Sequence, residues 1–208
     1  MMESHADITT EQAILEAAER LFLEKGFALT TTTEIARVAG CNQAMVHYYY
    51  RTKEKLFTSV FEKKARMMVA NLLQADRPDL SFEEKLRHKI EAHYNMLKEN
   101  PRLPFLFFNE MITNPPRLLA LREIIKDFPL GIVKPMEAEL KAEIALGNIR
   151  QVSMIDLLMT MLSLNVFLFL ASPIFKTLTG ISDEEFEQMV ERRKEENVTV
   201  ILKSLRPD

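Results

Sequence analysis

The stretch from Gln43 to Tyr50 sets hydrogen-bonding side chains at close intervals among small and apolar ones. Gln43 stands near a helix start, where its amide could pair bidentately with adenine N6 and N7. Ala44 and Met45 could touch a thymine methyl. His47, Tyr48 and Tyr49 suit phosphates or base edges, and Lys53 suits a phosphate at the start of the next helix. Together this is the chemistry of a helix laid in the major groove of double-stranded DNA. The surrounding charge agrees. Residues 35–66 hold seven basic side chains (Arg37, Arg51, Lys53, Lys55, Lys63, Lys64, Arg66) against Glu54 and Glu62. That local excess of five sits in a chain of net charge −3, and a basic stripe is what counterion release requires.

No comparable set points to catalysis. Of the four histidines, His88 and His93 are five residues apart and do not form an i, i+4 metal pair. Glu84 and His88 do, but two ligands are not a site. Surface histidines are the expectation, with no metal and no cofactor. Asn109 and Glu110 could orient a ligand, yet no base–nucleophile pair accompanies them, so no catalytic residue is assigned and no enzyme is expected. The five glycines lie at least fourteen residues apart, which excludes the common glycine-rich phosphate loops. The single cysteine, Cys41, excludes an internal disulfide framework and suits packing in a turn.

The elements that must position the Gln43–Tyr50 set follow from capping signals. Thr9-x-x-Gln12 opens a helix over about 10–25, stopped at Gly26. Thr31-x-x-Glu34 opens a short second helix ending at Ala39-Gly40. Asn42 caps a third, Gln43 to Tyr49. The last two, joined at Gly40, form a helix-turn-helix. Longer helices follow at about 53–75, 81–99, from Phe105, from Pro115 to Leu146 with a break around 129–135, at 152–171 and at 182–205. The reading is an all-α chain of about nine helices, with an N-terminal three-helix unit at 1–52 and a larger helical domain at 53–208.

The N-terminal residues lack the basic and apolar regions of a secretory signal, and a cytoplasmic location is expected. Nineteen uncharged residues lie between Asp156 and Lys176. Polar residues within them favour a helix covered by its own core and a partner subunit over a membrane span.

In the larger domain, Met67, Met96, Phe105, Phe108, Met111 and Phe128 could line an adaptable cavity for a small apolar effector. The last two helices read as an interface, with Leu158, Leu162, Phe169, Phe186, Val190 and Ile201 as its candidates. Pairing two such hairpins makes a homodimer, with Arg193 and Asn197 setting register.

Thr31, Ile35-Ala36, Ala39-Gly40, Asn42, Tyr50 and Lys53-Glu54-Lys55-Leu56 resemble, in register, the pattern of the TetR family of transcriptional regulators. Residues 10–27, with Gly26-Phe27, resemble the family's first helix. The likeness implies DNA contacts at Thr32, Thr33, Gln43, Ala44, Met45, His47, Tyr48, Tyr49 and Lys53. It also implies a dimer on a palindromic operator, most often a repressor, released when an effector shifts the helix after Lys53. Two positions depart from the pattern: His47 stands where a Tyr is usual, and Tyr49 where a His is frequent. The competing reading is a helical binding protein whose helix-turn-helix no longer reads DNA.

Overall fold

The computed structural model describes residues 9–75, 77, 79–126 and 133–207. Ten α-helices are described: α1 Thr10–Leu29, α2 Thr32–Val38, α3 Gln43–Tyr50, α4 Lys53–Gln74, α5 Phe82–Glu99, α6 Leu103–Thr113, α7 Pro115–Ile125, α8 Lys134–Ala145, α9 Met154–Thr179 and α10 Asp183–Ser204. The all-α expectation holds. The count exceeds nine because the Pro115–Leu146 stretch forms two helices, α7 and α8, rather than one interrupted helix. Phe128 and Gly131 lie outside the described residues.

Caps explain most helix starts. The side chains of Thr9, Thr31, Asn42, Ser153 and Ser182 accept from the backbone amides three residues on. Ser81 does the same, and Glu84 returns a bond to the Ser81 amide, completing a reciprocal box. At α1 and α2 only the forward half forms. The Gln12 amide bonds Glu16 at 3.0 Å, and Glu34 pairs with Lys25. Gly26 breaks α1 at φ 77°, and one more turn carries the chain to Leu29. The final apolar helix does not stop at 171 but passes through Pro173 to Thr179. Pro173 cannot donate to the Phe169 carbonyl; the Ser172 hydroxyl does so instead, at 3.0 Å.

The chain divides into two compact units. One runs up to Ala65 and also includes Phe105–Leu121; the other holds Arg66–Pro104 and the chain from Arg122. In the first, Ile14, Leu21, Phe22, Ile35, Val46, Leu56, Phe57 and Leu106 are buried. Phe57 is its aromatic centre, edge-on to Phe22 at 5.0 Å and to Phe27 at 5.2 Å. Phe61 continues the stack to Phe107 at 4.4 Å. Two cross-ties fasten α4 to α1: Lys63 and Lys64 both pair with Glu19. Burial by itself raises the Glu19 carboxyl, but these two ammonium groups outweigh it and hold the acid below its usual range.

In the second unit α5 packs on α8, α9 and α10, and α10 on α9. Leu86, Ile90, Leu140, Leu157, Val198 and Ile201 form its apolar core. A buried polar chain crosses that core. Asn165 Nδ2 donates to the Ile90 carbonyl at 3.0 Å and lies 3.2 Å from His93 Nδ1. Asn197 Nδ2 donates to the Leu164 carbonyl and to Asn165 Oδ1, and Arg193 donates to Asn197 Oδ1. Thus Arg193 and Asn197 tie α10 to α9 within the chain. His93 is not a surface histidine: it is 3% exposed, and burial lowers its pKa to about 4. α9 is long and apolar enough to cross a membrane by length and composition, with a mean hydropathy of 2.0. One such helix is weak evidence for a span, and this one carries the buried Asn165 and packs on α5 and α10.

Candidate nucleic-acid interface

The turn between α2 and α3 is made by Gly40 at φ 69°, where a Cβ would meet nothing within 4 Å. Backbone conformation alone therefore requires glycine there. The Cys41 amide donates to the Ala36 carbonyl at 3.0 Å, and Asn42 caps Met45 at 3.0 Å. Val46 is buried and pins the inner face of α3. Helical spacing then turns Gln43 and His47, Ala44 and Tyr48, outward together. All four are exposed, while Met45 and Tyr49 are half-buried. The Tyr49 ring packs edge-on against Tyr48, with centroids 5.1 Å apart. Tyr50 is half-buried rather than buried, its hydroxyl 3.5 Å from the Glu11 carbonyl. Burial first, and the Glu11 charge second, raise its pKa.

The structure joins three of the expected contact residues. Gln43 Nε2 donates to Thr32 Oγ1 at 3.0 Å, and Thr33 Oγ1 donates to Gln43 Oε1 at 3.2 Å. The amide is thereby held by both α2 threonines, with one N–H and one oxygen lone pair still free. That remaining pair is what a bidentate adenine contact uses. Beside it an open cleft of about 510 Å³ is lined by Thr32, Gln43, Ala44, Val46, His47, Arg51, Thr52 and Lys53. Its lining carries Arg51 and Lys53 and no acid, which suits a phosphate.

Two residues differ from their expected parts. Lys53 Nζ donates to the Phe27 and Thr30 carbonyls, at 3.0 and 2.9 Å, and lies 4.2 Å from the Phe27 ring centroid. It first ties α4 to the end of α1, leaving one N–H for a phosphate. Arg51 lines the cleft although it was counted only as part of the basic stripe. It stands at φ 64°, ψ −51°, and the Thr52 amide meets the Tyr50 carbonyl at 2.6 Å. This is a strained γ-turn, and no glycine marks it in the sequence. Asn109 and Glu110, seen from sequence as able to orient a ligand, instead face the α1 break. Glu110 Oε1 accepts from the Phe27 amide at 3.3 Å and from Asn109 at 3.2 Å, and the carboxylate pairs with Arg117.

The other expected sites are less unified. Met67 and Met96 belong to the second unit, while Phe105, Phe108 and Met111 belong to the first. Met96 is buried, Met67 and Met111 are half-buried, and Phe105 and Phe108 are exposed. Of the interface candidates, Phe169, Phe186, Val190 and Ile201 are buried within the chain itself. Within the chain the Phe169 ring lies against Tyr94, whose hydroxyl donates to the Val190 carbonyl at 2.7 Å. Leu158 is half-buried and Leu162 exposed. The exposed larger apolar residues of α9 are Ile155, Met159, Leu162, Phe167, Ile174, Phe175 and Leu178, with Leu162 one of the interface candidates.

A capped helix-turn-helix with a polar outward stripe and a cationic cleft defines a DNA-binding regulator. The sequence pattern described as "Bacterial regulatory proteins, tetR family" matches residues 14–60. A Bacillus subtilis protein named as the uncharacterized HTH-type transcriptional regulator YhgD is 27% identical over 152 residues, 67% of this chain and 80% of that one. The fatty acid metabolism regulator protein of the same organism is 23% identical over 138 residues, 66% of this chain and 70% of its own. The crystal structure of HlyIIR, a haemolysin II transcriptional regulator, superposes with a TM-score of 0.64 at 26% identity, covering 96% of this chain and 98% of that one. Residues 14–60 therefore carry the DNA-binding pattern of the TetR family, and the chain is similar over most of its length to transcriptional regulators.

Proposed function

We propose that this regulator is a homodimeric repressor that binds a palindromic operator and releases it when a small apolar effector binds. The DNA contacts in this reading are Thr32, Thr33, Gln43, Ala44, Met45, His47, Tyr48, Tyr49 and Lys53, joined by Arg51. The observation that carries it is the Thr32–Gln43–Thr33 bridge, which presents a half-satisfied amide on the exposed face of α3 beside Arg51 and Lys53. Residues 1–52 are the reading head, which shares its compact unit with residues 53–65 and Phe105–Leu121, and the remainder of 53–208 is the effector and dimerisation domain. A second copy is supported by the exposed apolar residues of α9, Ile155, Met159, Leu162, Phe167, Ile174 and Leu178, since so many on one helix mark an interaction surface. Palindromic half-sites follow from a two-fold dimer. An apolar effector is supported by the Met- and Phe-rich composition around residues 67–111 and by a relative named as a fatty acid metabolism regulator. The test is fluorescence anisotropy with a labelled duplex from upstream of its own gene, at 50 and 200 mM salt. Binding should fall steeply with salt, and fatty acyl compounds should release it. Equal, weak binding to every duplex would overturn the reading and favour a protein whose helix-turn-helix has ceased to read DNA.

A further inference from the structure

Residues Phe105–Leu121 interrupt the second unit in sequence but pack within the first. There, four contacts converge on Phe27, the residue after the α1 break. Its amide donates to Glu110. Its ring receives the Arg117 guanidinium, 3.9 Å from the centroid, and the Lys53 ammonium at 4.2 Å. Its carbonyl accepts from Lys53. Glu110 is 3% exposed, and Arg117 lies over Phe57 as well, at 4.2 Å. A Cβ on Gly26 would stand 3.9 Å from both Asn109 Nδ2 and Glu110 Oε1, so α6 reaches right up to the break.

A buried carboxylate–guanidinium pair adds little stability over an apolar pair of the same size, because desolvation offsets the attraction. What it does supply is direction. The carboxylate is held between one guanidinium and one backbone amide, and the planar guanidinium is held by two rings. We propose that Glu110 and Arg117 are positioning residues, a clasp on Phe27 through which α6 and α7 hold Lys53 and the helix-turn-helix in the DNA-binding arrangement. Neither residue lines the cleft at α3. The inference rests on the reading of α3 as the DNA-contacting helix.

The test compares Glu110→Gln, Arg117→Lys and the double variant Glu110→Gln/Arg117→Met with the parent chain. Thermal unfolding and anisotropy with the upstream duplex are measured on each. Glu110→Gln removes the carboxylate paired with the half-buried Arg117 guanidinium and should lower both Tm and affinity. The double variant should recover Tm to within a few degrees yet bind DNA at least tenfold more weakly. Arg117→Lys keeps the charge but loses the planar fork, and should bind about fivefold more weakly at a nearly unchanged Tm. DNA affinity that follows Tm through all three variants would overturn the clasp, since a purely structural pair predicts that. If the parent chain binds no duplex, the DNA reading itself fails. Amide hydrogen exchange then decides the clasp: faster exchange at Phe27 and Thr30 in the double variant upholds it, and unchanged exchange overturns it.

Discussion

Replacing Gln43 with Ala separates base reading from backbone binding. The Gln43 amide has two N–H donors and two acceptor lone pairs. One donor goes to Thr32 and one lone pair to Thr33, so one of each remains for an adenine edge. A bidentate contact of that kind discriminates by about 1–3 kcal/mol, or roughly 5- to 150-fold per half-site at 1.4 kcal/mol per decade. The residue is exposed and carries no charge. Gln43→Ala should therefore lower affinity for the specific duplex by that factor. It should leave affinity for a scrambled duplex, and the slope of log K against log salt, unchanged. Folding should change little, because the two lost hydrogen bonds are solvent-exposed. The assay is anisotropy titration on specific and scrambled duplexes at three salt concentrations. If the variant keeps the parent's preference, or loses specific and scrambled binding together, the amide does not read a base and the argument from the threonine bridge is wrong.

Three further outcomes follow from the geometry. Burial lowers the His93 pKa from its ordinary 6.5 to about 4 in the folded chain. The unfolded chain then takes up the proton first as pH falls, and about 3 kcal/mol of stability at 1.36 kcal/mol per unit is present above pH 6.5 and lost between 6.5 and about 4. Denaturant titrations should show this loss in the parent and a flatter profile in His93→Gln; parallel profiles would refute it. Arg51→Gly relieves a left-handed strain of about 1–3 kcal/mol, offset by about 1 kcal/mol of unfolded-chain freedom. Tm should hold or rise slightly while DNA affinity falls for all sequences, with a salt slope shallower by about one; a clear drop in Tm would contradict the strain argument. Phe167, 62% exposed on α9, becomes charged in Phe167→Glu. Light scattering should then report monomers at micromolar concentration with the helical signal intact, and a persistent dimer would place the interface elsewhere.

Much of the reading head was legible because its signals are local. Thr9, Thr31 and Asn42 cap within three residues, Gly40 turns the chain where its own backbone must, and the Gln43–Tyr50 stripe repeats at helical spacing. The second unit was less legible because period alone cannot tell a core face from an interface face on a helix as apolar as α9. Phe169, Phe186, Val190 and Ile201 carried the right spacing, but their partners are α5 and the opposing hairpin helix of the same chain. The Pro173 passage depended on a hydroxyl one residue away repairing a carbonyl, which a proline-as-break rule overlooks.

The amino-acid order by itself determined an all-α chain, the helix-turn-helix and the outward set of Gln43, Ala44, His47 and Tyr48, since caps, turns and helical period act over three or four residues. Only the tertiary structure decided what lies far apart in sequence. Glu110 reaches the Phe27 amide across 83 residues, and His93 meets Asn165 across 72. Lys53 is anchored on the end of α1 before any phosphate can claim it. Such contacts depend on which faces pack, and packing is settled by the whole core rather than by any window of neighbouring residues.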